Sequence, residues 1–202
     1  MGEISNNTLA MLVGVAILLT LIAVLTPRGP VYITGRATDV GVAKVNISKF
    51  VAINFTDDII DWGTGYVAEG AYNCTLDTEG NVGATCSGFT AQNNGFTIEN
   101  IGNRRVVLQL KTGKDATEFI NGTNPVYQYK VSEAEAGACG GTLQPTTYTD
   151  VNTTDPGTTI CDNFLFQNPK DSLNIDVKIV IPSDSNTGLL TDTFTATATE
   201  AT

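Results

Sequence analysis

Three carboxylates and an indole crowd one short stretch of the chain. Asp57, Asp58 and Asp61 precede Trp62 in FTDDIIDWGTG. Paired carboxylates can divide acid and base work in glycoside hydrolysis, and a tryptophan beside them would give a sugar ring a stacking face. The commoner use of such a stretch is a turn with hydrated acids and a tryptophan in the core, and that is the expectation here. A second oxygen-rich run, Asp150-Val-Asn152-Thr-Thr-Asp155, carries calcium-type donors without the spacing of an EF-hand loop. Calcium is therefore only an alternative, and the expectation is no cofactor and no metal site. The chain has no histidine, which removes Ser-His-Asp triads and most imidazole metal sites. No glycine-rich phosphate loop leads into a helix. Arg104-Arg105 is a lone basic pair, read as a strand edge or an ion pair. No catalytic residue is assigned, and the protein is expected not to be an enzyme.

Cysteines offer firmer chemistry. Cys74, Cys86, Cys139 and Cys161 are even in number and permit three pairings. No Cys-x-x-Cys spacing suggests zinc. Local closure favours Cys74–Cys86 and Cys139–Cys161, each stapling a Gly- and Thr-rich loop. Disulfides imply an oxidising, extracytoplasmic setting. Asn-x-Ser/Thr sequons begin at Asn46, Asn54, Asn73, Asn121 and Asn152, with a sixth at Asn6 in the N-terminal tail. These asparagines are candidate glycosylation sites. In Val45–Phe55, Val45, Ile47, Val51, Ile53 and Phe55 share one face of a predicted strand. Asn46, Ser48 and Asn54 take the other, and Lys49 breaks the pattern.

The elements that would position these residues are strands. Leu173, Ile175, Val177, Ile179 and Ile181 alternate with polar residues, as do Tyr127, Tyr129 and Val131, and Val106, Leu108 and Leu110. Period-two alternation marks half-buried antiparallel strands. Turn clusters separate them, among them Asn93-Asn94-Gly95, Asn100-Ile-Gly-Asn103 and Thr112-Gly113. The run PSDSNTG predicts a hairpin joining Leu173–Ile181 to Leu189–Ala198. Asp115–Ile120 and Ser132–Ala136 have room for single helical turns. Ala136–Asp162 reads as a long loop held by Cys139 and Cys161. The expected class is all-β: an antiparallel Ig-like or jelly-roll β-sandwich of seven to ten strands, preceded by one N-terminal hydrophobic helix.

That helix is the apolar run Ile4–Thr26, which carries no charge and is stopped by Pro27 and Gly29. A membrane crossing needs about 20 apolar residues. Leu9, Leu12, Val13, Ala16, Ile17, Leu19, Leu21, Ile22 and Leu25 are the candidate membrane or assembly residues. A cleaved secretory signal would show a basic start and a small-residue cleavage site. MGEISNN has no Lys or Arg, and Ala23-Val24-Leu25 ends in a bulky residue. The run is therefore read as retained, either spanning a membrane or packed in a filament core. Arg28 and Arg36 follow it, which by the positive-inside rule favours a cytoplasmic body. The cysteines and sequons point outward and take precedence. Residues 1–27 form the tail and helix, 28–41 a linker with Val31-Tyr-Ile33 as a possible first strand, and 42–202 the extracellular domain.

Net charge is −10, nearly all of it in the body. An acidic surface argues against nucleic-acid binding, which needs Lys and Arg on phosphates. In layout the chain resembles archaeal type IV pilins and archaellins, which place a β-sandwich after an apolar helix. It departs from them in lacking the basic residue and Gly/Ala of their processing site. The segment FTIENIGNRRVVLQLKT, from Phe96 to Thr112, is similar to strand–turn–strand segments of TasA-like fibre proteins and archaeal surface proteins. SLNIDVKIVIPSDSNTGLLTDTFTATAT looks like the closing hairpin of such modules. The resemblance implies a structural cell-surface role, as a subunit of a pilus, filament or surface layer that assembles with identical copies. A membrane-anchored adhesin or glycan-binding module is the alternative.

Overall fold

The computed structural model describes residues 6–25 and 41–202, with side chains of the first stretch as far as Ile22. Helix α1 covers Asn6–Leu25, 20 residues with no acidic residue in its first turn and no basic residue in its last. Its apolar side chains occur on every side, and Leu9, Leu12, Val13, Ile17, Leu19, Leu21 and Ile22 are all exposed. Among the described residues no helix is long and apolar enough to cross a membrane. The chain divides into two units, Met1–Asn46 and Ile47–Thr202. The expected strand at Val31-Tyr-Ile33 lies outside the described residues.

The second unit is mostly β and antiparallel, with no closed barrel. Its strands are β1 (Asn54–Asp57), β2 (Tyr66–Val67), β3 (Asn73–Asp77), β4 (Cys86–Ser87), β5 (Phe96–Glu99) and β6 (Val106–Thr112). After the one-turn helix α2 (Ala116–Phe119) come β7 (Val126–Glu133), β8 (Thr149–Asp150), β9 (Thr158–Phe164), β10 (Ser172–Pro182) and β11 (Phe194–Glu200). The larger sheet runs β1-β5-β10-β7-β8, with β3 also on β10; the second runs β11-β6-β9; β2 and β4 pair alone. Alternation holds where it was strongest. Leu173, Ile175, Val177 and Ile179 are buried along β10, Tyr127, Tyr129 and Val131 along β7, and Val106, Leu108 and Leu110 along β6. One buried cluster joins Ile98, Tyr129, Val131, Leu173 and Ile175 of the larger sheet to Val106, Leu108, Leu110, Ile160 and Phe164 of the smaller. Such burial contributes about 1.5–3 kcal/mol for each large side chain. Helix α2 is set by its cap. Asp115 accepts from the Glu118 backbone N–H at 2.8 Å, and Glu118 accepts from that of Asp115 at 3.2 Å.

Four expectations are corrected. First, β10 and β11 do not form a hairpin. β10 already has β7 on one edge and β5 followed by β3 on the other, so no edge is left for β11. It crosses to the second sheet and pairs with β6 from Phe194↔Thr112 to Glu200↔Val106. Second, Val45–Phe55 is not a strand; pairing begins only at Asn54. Val45 and Ile47 are 86 % and 73 % exposed. Upstream of β1 the backbone is held by a side chain. Asn103 Oδ1 accepts from Phe50 N–H at 2.8 Å, its backbone N–H donates to Phe50 O at 2.9 Å, and its Nδ2 donates to Ser48 O at 3.0 Å. Third, Ala136–Asp162 is not one long loop, because Cys161 lies inside β9. Fourth, Ser132–Ala136 is no helical turn: β7 runs on to Glu133, and Ala138 N–H closes a turn on Glu135 O at 3.0 Å.

The Asn100–Asn103 turn changes sheet, carrying the chain from β5 to β6. Asn100 is 1 % exposed. Its Nδ2 donates to Arg104 O at 2.9 Å and Phe164 O at 3.2 Å, while Oδ1 accepts from Gly102 N–H at 3.1 Å. One short amide thus satisfies three backbone groups at the corner. Gly102 has no room for a side chain: a Cβ there would meet Phe50 O at 2.6 Å.

Candidate functional site

Both locally closed cysteine pairs form. Cys74–Cys86 joins β3 to β4 with Cα atoms 5.0 Å apart, and Cys139–Cys161 ties a loop to β9 at 5.9 Å. Both are at or beneath the surface of the core, with Cys74 and Cys161 fully buried. Around Cys139 the loop continues the smaller sheet. Gly140 N–H donates to Asn163 O, Leu165 N–H to Ala138 O, and Gln144 N–H to Ile160 O, at 2.9–3.0 Å. Two disulfides in a β-rich body are consistent with an oxidising, extracellular environment.

The sequence's carboxylate candidates do not converge into a cleft. Asp57, Asp58 and Asp61 are exposed. Asp61 Oδ1 accepts from Gly63 N–H at 2.8 Å, and Asp57 Oδ2 accepts from Thr97 Oγ1 at 3.2 Å. Trp62 is half-buried against the cluster of Cys74, Leu76, Tyr127 and Ile179, with its indole N–H 3.5 Å from Asp77 O. It fills the core rather than a sugar platform. In the 150–155 loop, Asp150 accepts from Gln128 Nε2 at 2.9 Å, Asp155 pairs with Lys111 at 2.7 Å, and Asn152 Oδ1 accepts from Thr154 N–H at 2.9 Å. Among the described residues no group of three or more His, Cys, Asp or Glu side chains is arranged to hold a metal ion. Arg104 Nε stands 3.9 Å from Glu200 Oε1, an ion pair without a hydrogen bond, while Arg105 is exposed.

Of the sequon asparagines, Asn46, Asn54, Asn73 and Asn121 are exposed. Asn121 sits in left-handed backbone at φ 62°, a region asparagine tolerates better than most residues. Its Nδ2 donates to Asn186 Oδ1 at 3.2 Å. Asn152 is half-buried, and its amide nitrogen, the atom a glycan would take, donates to Thr158 Oγ1 at 3.2 Å. Asn6 heads α1 and is exposed.

A polar cluster on the larger sheet escaped the sequence reading. Asp77, 7 % exposed, accepts from the backbone N–H groups of Glu79 and Asn81 and, through both oxygens, from Asn81 Nδ2, all at 2.8–3.1 Å. Thr78 Oγ1 donates to Asp176 at 3.1 Å and accepts from Val177 N–H at 3.0 Å. Glu79 takes Lys130 at 2.6 Å with one oxygen and the Tyr148 hydroxyl at 3.1 Å with the other. The ammonium groups of Lys130 and Lys178 lie 5.0 and 5.5 Å from the Tyr148 ring centre. Burial and then the Glu79 charge push the Tyr148 hydroxyl well above the ordinary phenol range. Burial also raises Asp176, with Thr78 and Lys130 opposing. Chemically the cluster is a clamp, fixing the β3 turn and the strand-preceding loop at Tyr148 on β7 and β10. The alternation placed Lys130 and Lys178 outward, but nothing in sequence spacing marked Glu79 or Tyr148 as their partners.

Two shallow hollows of about 310 and 240 Å³ lie on the surface, one at Lys114 and Asp192, the other at Asp115, Tyr127 and Asp150. Burial, then the Asp192 charge, drives the Tyr127 hydroxyl far above its ordinary range, so it stays a neutral phenol. Tyr66, on β2, and Tyr72, just before β3, are by contrast 65 % and 89 % exposed. Compared with protein families, curated proteins and solved structures, the chain matches none.

Proposed function

We propose that the protein is a structural cell-surface subunit: a β-sandwich body held by its N-terminal helix in a membrane or in the core of a homopolymeric filament. The observation that carries this reading is α1. A helix whose described residues are apolar on every side and exposed as far as Ile22 has a natural place only in lipid or among other apolar helices. The disulfide-stapled body supports an extracellular location. The two sheets that share a buried cluster support the sandwich reading, and the acidic surface disfavours nucleic acid.

Electron microscopy of surface extracts tests assembly. Polymers are expected from the native chain and none from Ile17→Lys, which puts a charge midway along α1. Native protein found only as a detergent-solubilised monomer would remove the filament and leave the tether. A binding module is favoured by one observation, the exposure of Tyr66 and Tyr72. In that case the double change to alanine abolishes adhesion to glycan-coated surfaces and leaves polymers intact.

A further inference from the structure

Two asparagines in the chain are followed by glycine, Asn94 and Asn121. Such a pair is reactive. Glycine has no Cβ to obstruct its own backbone nitrogen, and that nitrogen can attack the carbonyl carbon of the asparagine side chain. The fold treats the two pairs differently.

Asn121 is held. Its Nδ2 donates to Asn186 Oδ1 at 3.2 Å, and its N–H donates to Ala116 O at 3.3 Å. Beyond Gly122, Thr123 N–H donates to Asp184 Oδ1 at 2.8 Å. Gly122 itself is packed: a Cβ there would lie 2.7 Å from Asp184 Oδ1 and 3.0 Å from Ser185 N. Side chain and following nitrogen are both tied down. Asn94, by contrast, is exposed in residues 91–95, which belong to no helix or strand. Among the described residues neither its side-chain amide nor the Gly95 N–H has a hydrogen-bond partner. Glycine at 95 is not a free choice. A Cβ there would collide with Ile175 O and sit 2.8 Å from Ile175 C, because the chain lies against β10 as it enters β5. The packing that demands glycine leaves an unrestrained asparagine in front of it.

We propose that Asn94–Gly95 is a self-modification site, where the folded chain converts asparagine to aspartate and isoaspartate while Asn121 is spared. The Gly95 nitrogen gives up its proton and bonds to Asn94 Cγ. The Cγ–Nδ2 bond breaks and ammonia leaves, closing a succinimide. Water then opens the ring. Breaking the Cγ–N bond gives aspartate; breaking the bond from that nitrogen to the main-chain carbonyl carbon gives isoaspartate. The isoaspartate main chain runs through the former side chain and is one methylene longer. Both ends of the stretch are pinned. Gln92 O accepts from Gly80 N–H at 2.8 Å, and Gln92 Nε2 donates to Asp61 O. Phe96 is fixed in β5, with its ring 4.9 Å from that of Phe194. The added length is absorbed at the weaker tie, the hydrogen bonds of Gln92. Isoaspartate at 94 therefore loosens the β3 turn that carries Glu79 and Gly80.

The test incubates the full chain, made in a host that adds no glycan, at mildly alkaline pH. Tryptic peptides ending at Arg104 and Lys130 separate the two pairs, and fragmentation mass spectrometry reads aspartate and isoaspartate at each. In the folded chain Asn94 is expected to convert about tenfold faster than Asn121, the scale of restraint that a hydrogen bond with its pinned backbone supplies. In chain reduced and unfolded in urea the two are expected to convert at similar rates. Asn94→Gln, whose longer side chain closes a ring poorly, should leave the first peptide unconverted. Equal rates in the folded chain overturn the proposal. So does a preference that persists in urea, which would place it in the sequence and not in the fold. Product that persists in Asn94→Gln would belong to another residue and overturns it as well. Isoaspartate-bearing protein is expected to lose amide-exchange protection at Gly80; unchanged protection there overturns the coupling to the β3 turn.

Discussion

Asn100 shows how much a single residue can carry. It is buried at a change of sheet, and its side chain meets three backbone groups from Gly102, Arg104 and Phe164. Asn100→Ala leaves those groups buried without partners, at about 1–3 kcal/mol for each lost bond. Chemical denaturation should show a loss of at least 2 kcal/mol, with the fold retained. Asp176 behaves oppositely. Its folded acidity is weakened by burial, so its charged form is the costly one. The penalty is full above the raised value, shrinks as pH falls through it, and is gone below the ordinary 3.8. Asp176→Asn should therefore melt higher than the native protein at neutral pH in calorimetry. That gap should close on acidification. A gap that is constant with pH would mean that packing, not ionisation, separates the two.

Among elements, the legible ones were those with a wet side and a dry side. β6, β7 and β10 each bury every second residue, so their composition alternates with their pleat. Partnership was not legible. PSDSNTG is good turn chemistry, but whether the following strand turns back depends on a free edge, and β10 has none. Val45–Phe55 alternates except at Lys49, yet alternation supplies no neighbour. The cysteine pairs were readable because loop closure is local, with separations of 12 and 22 residues. Their contribution differs from that of a contact, acting largely by restricting the unfolded chain. Cys139→Ser with Cys161→Ser should lower stability by about 3 kcal/mol in urea titrations. The loop from Ala138 to Gln144 should then lose amide-exchange protection before β10 does. The clamp at Tyr148 was invisible in sequence because its partners lie on four separate segments.

Taken whole, the molecule places its sequons unevenly. Asn46, Asn54, Asn73 and Asn121 face solvent, whereas the Asn152 amide is engaged with Thr158. If the surface form is glycosylated, glycopeptide mass spectrometry should find Asn152 the least occupied of the five. Glycan at Asn152 equal to that at Asn46 would mean modification precedes folding. That timing is set by β10. It touches β3, β5 and β7 at once, and it is made from residues 172–182, after all three. The larger sheet therefore has no centre until translation has passed Pro182. Until then β1–β5, β7–β8 and β6–β9 can pair, but β3, β5 and β7 lack the strand that joins them. Were the chain exported as it is made, on the cell-surface reading proposed above, it would complete this sheet and close its cystines only on the far side.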